Sequence, residues 1–409
     1  MIGLPNQEVR VLLFTQCPSR YGAEEHMLTL LRELPRPQFR LHIACPPQLA
    51  EKIRADVPGD VELFELPLRS ATRVGDAFRM AKILRERKID VLHSHMSHSS
   101  RFASPIGWLC GVPAVLETPH VAENWRHGWL KGSYAPDRIV GHLVDYFIAV
   151  SNANARYLIE TKKLPSKKVV VIRNGCDLKR FDSGADDRSA ARKKLGLKEG
   201  IPIVIVPARL EPQKGHAVLL EAIPAILKKF PRLQVMCLGD GTLRKELETK
   251  VSDLNIRETV HFAGFQQNMT EWLCAGDLTV LPSFYEGLPL VAIESLAVSR
   301  ALVATAVDGT PEVVVDGVTG RTVPPGAPIP LGEAICDLLG QPALLEKFGR
   351  QGRELVEREF NQDMQVRRTA ELYIRSSRHR SESKVVSAVT APQSSRWVEG
   401  NTTERSARK

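Results

Sequence analysis

The sequence predicts an α/β protein built as two doubly wound parallel-sheet domains in tandem, facing each other across a cleft. Three observations carry this. Strand-like runs alternate with helical stretches along the whole chain, the pattern restarts near residue 200, and a charged, turn-rich interval separates the two series. Such alternation gives parallel strands whose connecting helices cover both faces of a sheet. A chain of 409 residues with 43% hydrophobic side chains has the material for two domains of ordinary size.

Taken in order, strands are expected at residues 9–14, 41–44, 91–93, 114–117, 146–150 and 169–172, with helices at 23–34, 72–88, 99–110 and 152–161. The second series brings strands at 203–206, 234–238, 260–263, 278–281 and 301–304. The interval 179–200 is charged and rich in turn formers, so the linker belongs at or just before it. The expected domains are therefore 1–180 and 181–375, the last helix of the second crossing back to the first. Residues 376–409 hold seven Lys/Arg against three Glu and lack apolar periodicity, which predicts a disordered basic tail.

The seven cysteines are odd in number and form no Cys-x-x-Cys pair, which argues against a disulfide framework or zinc cluster and for a reducing compartment. The apolar run at 11–14 is too short for a signal-peptide core. No stretch reaches the roughly 18 apolar residues that span a bilayer. A cytoplasmic protein, soluble or peripheral on the membrane's inner face, is expected. The net charge is +9, and Arg73, Arg79, Lys82, Arg85, Arg87 and Lys88 fall among Val74, Phe78, Met80, Ile83 and Leu84. This basic amphipathic helix is either a solvated face or a surface for anionic lipid. No nucleic-acid partner is expected.

Residues 283 to 294 carry the strongest chemical signal. Glu286 and Glu294 stand eight positions apart around the turn Gly287-Leu288-Pro289. The apolar run at 278–281 predicts a buried strand, and the stretch after the turn a helix with Pro289 in its first turn, where the missing N–H costs nothing. A helix N-terminus presents free N–H groups and partial positive charge, which suits a phosphate. Glu286 would lie in the loop and Glu294 about two turns down the helix. Carboxylates beside a phosphate cradle need another partner, and sugar hydroxyls would serve. Solvent or surface ion pairs are the plainer use of the same residues.

Other chemistry-bearing residues fall at predicted strand ends, where ligands of doubly wound sheets bind. Arg209, Lys214 and Gly215 follow the strand at 203–206. Arginine grips two oxygens at once and lysine acts as a point charge, so the pair would clamp a diphosphate or else form a solvated basic loop. Gly239-Asp240-Gly241 lacks the third glycine of a dinucleotide-binding turn but leaves room for a nucleotide to approach the backbone. In the first half, Gly22 and Glu24 open a helix after the first strand. His93, His95 and His98 lack a nearby Asp, Glu or Cys to complete a metal site. His120 ends another strand and faces the cleft. Residues 124–131, with Trp125 and Trp129, form a loop to stack a sugar, touch a membrane or fold as a packed hairpin.

Together these residues resemble the family-4 retaining glycosyltransferases of GT-B architecture, with two Rossmann-like domains, over residues 8 to 375. Nine short motifs stand in the family's order. They are Gly22-Ala23-Glu24, Asp90 to His95, Thr118-Pro119-His120, Ala149 to Ala153, Asn174 to Phe181, Arg209 with Lys214-Gly215, Gly239-Asp240-Gly241, Glu286 to Pro289 with Glu294, and Gly309 to Glu312.

The resemblance implies transfer of a sugar from a nucleotide-sugar, UDP-linked rather than GDP-linked, to a glycan or lipid-linked acceptor in cell-surface polysaccharide or glycolipid synthesis. Arg209 and Lys214 would hold the donor diphosphate, Glu294 the ribose hydroxyls and Glu286 the donor sugar. Gly239, Gly241 and the amides around Gly287, Leu288 and Leu290 would complete the donor side. His120 would stand beside the anomeric carbon, and Gly22, Glu24 and His95 would line the acceptor side. No cofactor or metal is implied, since the chain has no Asp-x-Asp and the basic pair takes that place. With no protein nucleophile visible, a front-face displacement is expected, the leaving phosphate helping to deprotonate the acceptor.

The chain departs from the family's pattern at three places. Tyr21 replaces the first of two glycines, Ser299-Arg300 stands where Gly-x-Pro is usual, and Asp308 replaces a glycine before Gly309. Competing readings are a non-hydrolysing sugar-nucleotide epimerase, which needs acid/base carboxylates and no acceptor, an NAD-dependent dehydrogenase, disfavoured by the incomplete glycine pattern, and an inactive nucleotide-sugar-binding protein.

Overall fold

A computed structural model describes residues 8–67, 74–123, 134–182 and 187–389. The first sheet has seven strands: β1 (Val9–Phe14), β2 (Phe39–Cys45), β3 (Glu62–Glu65), β4 (Val91–His95), β5 (Ala114–Thr118), β6 (Tyr146–Ala149) and β7 (Val169–Val171). The second has six: β8 (Ile203–Val206), β9 (Gln234–Leu238), β10 (Val260–Gly264), β11 (Leu278–Leu281), β12 (Leu302–Thr305) and β13 (Gly320–Val323). Their orders are β3-β2-β1-β4-β5-β6-β7 and β10-β9-β8-β11-β12-β13. All described pairings are parallel.

Chain order reverses between β1 and β4 in one sheet and between β8 and β11 in the other. At such a switch point the connections diverge and leave a crevice beyond the strands' carboxyl ends. The two strands that sequence reading misses, β3 and β13, are both edges. Their side chains are partly exposed, so neither reads as an apolar run.

The helix Val74–Glu86 forms within the basic segment, while Arg73 and the loop holding Trp125 and Trp129 lie outside the described residues. The two sheets are joined by two adjacent crossings of the chain. Cys176 bridges to Asn361, its N–H donating to the Phe360 carbonyl and its own carbonyl accepting from Gln362 N–H. The helix Gln362–Val389 then packs Val366, Ala370, Leu372 and Tyr373 into the core of the first sheet. Its described extent ends at Val389, inside the segment where composition predicts a basic tail. Residues 390–409 lie outside the described residues. Among the described residues no helix is long and apolar enough to cross a membrane.

Candidate active site

On the second sheet, β11 leads through the loop of Glu286 into the helix Leu290–Ala297. Pro289 is the N-cap, so Glu294 lies about one turn inside the helix rather than two. Glu286 is buried and accepts from Lys214 Nζ at 2.6 Å and Ser283 Oγ at 2.7 Å. Lys214 therefore does not stand free as a phosphate clamp in this state, because Glu286 engages it. The Glu286 amide donates to Asp308 Oδ2 at 2.8 Å. Asp308 sits at φ +42°, a left-handed conformation that Asp tolerates better than most residues.

Arg209, on the loop after β8, has one weak described polar contact, 3.5 Å from Nη2 to Gln213 Oε1. Its guanidinium carbon instead lies 4.2 Å from the ring centroid of Tyr21, across the cleft. Gly239 and Gly241 press against this same loop: a Cβ at Gly239 would meet the Ala208 carbonyl at 2.3 Å, and one at Gly241 the Leu210 carbonyl at 2.4 Å. These glycines fix the Arg209 loop. Glu294 is half-buried, and burial pushes its carboxyl up to about 7, with Arg180 pulling down and Glu25 adding to the rise.

On the first sheet, Glu24 is buried in the opening turn of the helix Gly22–Glu33, accepting from Tyr21 N–H at 3.1 Å and Thr15 Oγ1 at 3.3 Å. Burial pushes its carboxyl to about 7, against the pull of those hydrogen bonds. His95, at the end of β4, places Nδ1 3.0 Å from His120 Nε2. His93 pairs with Tyr373 Oη at 2.6 Å and Thr118 Oγ1 at 2.7 Å. His26 packs edge-on against His120, with ring centroids 5.0 Å apart. These four rings form one buried nest, and burial holds all four imidazoles below their usual range. His98 stands apart from it, and among the described residues no His/Cys/Asp/Glu group is arranged for a metal ion.

The two halves touch at these residues. A Cβ on Gly287 would stand 1.7 Å from the His120 carbonyl, so only glycine fits. Ser151 Oγ donates to the Gly287 carbonyl at 3.2 Å. A Cβ on Gly22 would lie 3.5 Å from Leu290 Cδ1. Glu312 reaches across to accept from Asn152 N–H at 3.1 Å and Ala153 N–H at 2.8 Å, at the start of the helix Asn152–Arg156. Sequence reading assigns no role to Glu312, His26 or Arg180. The first and third lie in quoted motifs, whereas His26 carries no local signal.

A family profile described as "Glycosyltransferase Family 4" matches residues 21–180, and one described as "Glycosyl transferases group 1" matches 187–355. The chain belongs to the family-4 glycosyltransferases of GT-B architecture. A D-inositol 3-phosphate glycosyltransferase of Streptomyces avermitilis is 30% identical over 307 residues, 69% of this chain and 65% of that one. The glycosyltransferase thus spans just under two thirds of that relative's length. A GDP-mannose-dependent monoacylated α-(1-6)-phosphatidylinositol monomannoside mannosyltransferase of Corynebacterium glutamicum is 29% identical, covering 70% of this chain and 76% of its own. A crystal structure of Anabaena HepE in complex with UDP shares the fold with a TM-score of 0.76 at 19% identity, covering 90% of this chain and 99% of that one.

Proposed function

We propose that this glycosyltransferase moves a sugar from a nucleoside-diphosphate sugar to a glycan or lipid-linked acceptor, with retention of configuration and without a metal ion. The observation that carries the reading is the convergence of Arg209, the Lys214–Glu286 pair and the helix start at Leu290 on the face opposite His120. A donor arriving there would divide the 2.6 Å ion pair, Lys214 turning to the diphosphate and Glu286 to a sugar hydroxyl. Breaking the sugar–phosphate bond develops negative charge on the leaving diphosphate, which Arg209, Lys214 and the helix N-terminus stabilise. The leaving phosphate takes the acceptor's proton on the same face.

UDP-sugars are the first donors to test, since the HepE structure holds UDP; the mannosyltransferase's name makes GDP-mannose the alternative. The test is product NMR on incubations with UDP- and GDP-sugars and simple acceptors, with and without EDTA. A product with the donor's anomeric configuration, unchanged by EDTA, is expected. An inverted product or loss with EDTA overturns the retaining, metal-free reading. Conversion of the donor sugar without acceptor favours the epimerase.

A further inference from the structure

We infer that Tyr21 is a positioning residue for the donor diphosphate, holding Arg209 from across the cleft by the face of its guanidinium. The inference rests on the donor-site reading above. Arg209 lies 4.2 Å from the Tyr21 ring centroid and, among the described residues, forms no ion pair with a carboxylate. A carboxylate partner would occupy the in-plane N–H groups and cancel the charge. An aromatic ring takes only the face of the guanidinium. The contact therefore holds the cation while leaving its edge donors, apart from the 3.5 Å contact of Nη2 with Gln213, open to phosphate oxygens. Lys214 shows the contrast, its ammonium already committed to Glu286.

Both ends of the stack are anchored, and in different domains. The Arg209 loop is tied to the next strand end, Leu210 N–H donating to the Asp240 carbonyl at 3.0 Å. Tyr21 is the N-cap of the helix Gly22–Glu33, its N–H held by Glu24, and Gly22 abuts Leu290 of the donor helix. The residue is 42% exposed, so no core packing explains a tyrosine there. A glycine at 21, as the family's pattern has it, could not reach Arg209 by its side chain. In this chain the grip on the diphosphate thereby depends on residues of both domains.

The test uses the full chain and calorimetric titration with UDP, GDP, uridine and guanosine. Tyr21→Leu is expected to weaken binding of the preferred nucleoside diphosphate about five- to twentyfold, the range that cation–π energies imply. Affinity for the parent nucleoside, which lacks the phosphates, should stay within about twofold, since the effect passes through Arg209 alone. Tyr21→Phe should restore diphosphate binding, and Tyr21→Leu should add nothing in an Arg209→Ala background. Equal diphosphate affinity in wild type and Tyr21→Leu overturns the inference while leaving the donor site intact. So does a Tyr21→Phe variant as weak as Tyr21→Leu, or an undiminished loss in the Arg209→Ala background. If neither diphosphate binds wild type, the donor-site reading falls and takes this inference with it.

Discussion

Asp308, in a left-handed conformation, holds the amide of Glu286 at 2.8 Å, so the loop that presents one carboxylate is pinned by another. Burial raises the Asp308 carboxyl above its usual range, and the nearby Glu286 charge adds to the rise. Replacing Asp308 by glycine removes a charge-assisted hydrogen bond worth about 1.5–3 kcal/mol and relieves about 1–2 kcal/mol of backbone strain. Thermal stability should therefore move little, by about 1 kcal/mol, while kcat/KM falls about tenfold because Glu286 is no longer fixed. A melting curve and a Michaelis–Menten series on Asp308→Gly decide it. Lost stability with unchanged turnover would assign Asp308 to folding alone.

Arg209→Ala and Lys214→Ala should each lower kcat about a hundredfold or more, roughly 3 kcal/mol, because their contacts strengthen as charge develops on the leaving diphosphate. Lys214→Ala also strips Glu286 of its ion-pair partner, so the Glu286→Gln/Lys214→Ala double variant should not be the sum of the two. Near-normal kcat in both cation variants refutes the assignment.

Glu294 has its carboxyl raised to about 7. Hydroxyls that donate to it favour the ionised form, so binding a ribose there releases a proton. Nucleotide affinity should then rise as pH increases through about 7 and level off above it. Calorimetry in two buffers of different ionisation heat reads the proton release directly. Glu294→Gln should bind more weakly and show a flat profile; a wild type already flat between pH 6 and about 8 excludes the linkage.

The histidine nest sets an acid limit. Histidine carries a proton in the unfolded chain below about 6.5. In the fold, burial holds His26, and His216 buried in the other domain, near about 4, and holds His93, His95 and His120 well below the usual imidazole range. Depressed histidines cost stability as pH falls through their unfolded value. Glu24 and Glu294, raised to about 7, act oppositely, since protonating them as pH falls from about 7 toward 4.5 favours the fold. Five depressed histidines outnumber the two raised carboxylates. The melting temperature should therefore fall as pH drops from about 6.5 toward about 4, the carboxylates offsetting only part of the loss. A melting temperature that climbs through that range contradicts this.

Membrane attachment is electrostatic if it occurs through the helix Val74–Glu86. Arg79 and Lys82 are exposed there beside Phe78, itself 72% exposed. Each cation near an anionic bilayer contributes about 1 kcal/mol and is screened beyond about 10 Å at 0.1 M salt. Flotation should succeed on anionic vesicles, fail on neutral ones and weaken with salt. Charge reversal at Arg79, Lys82 and Arg85 that leaves flotation intact would move the contact elsewhere.

The interior strands were legible because a strand buried on both faces reads as an apolar run, and Ile203–Val206, Gln234–Leu238 and Leu278–Leu281 lie where the pattern places them. The edges β3 and β13 carry polar residues at their exposed positions and gave no such run. Arg209 and Glu286 stand on the loops after β8 and β11, where the strand pattern places them. The Lys214–Glu286 pairing joins residues 72 apart, and no local pattern encodes a contact of that range. The nest was half visible: His95 ends β4 and His120 lies just past the end of the neighbouring β5, but His26 enters from a helix. The seat of Tyr373 in the first sheet's core carries no local signal either, since His93 of that sheet lies 280 residues earlier in the chain.

The return of the final helix has a practical consequence for anyone recombining such enzymes. Tyr373 is buried against Phe39 and bonded to His93, although its own helix follows the second sheet in the gene. A chimera that exchanges acceptor-side and donor-side halves at a single junction near residue 180 would therefore bring a foreign tyrosine to the native His93. Two junctions are needed, one beside Cys176 and one beside Asn361, where the strands of the linker already lie side by side. Cut there, the returning helix stays with the sheet it packs on, and the pair of crossings serves as an interchangeable seam.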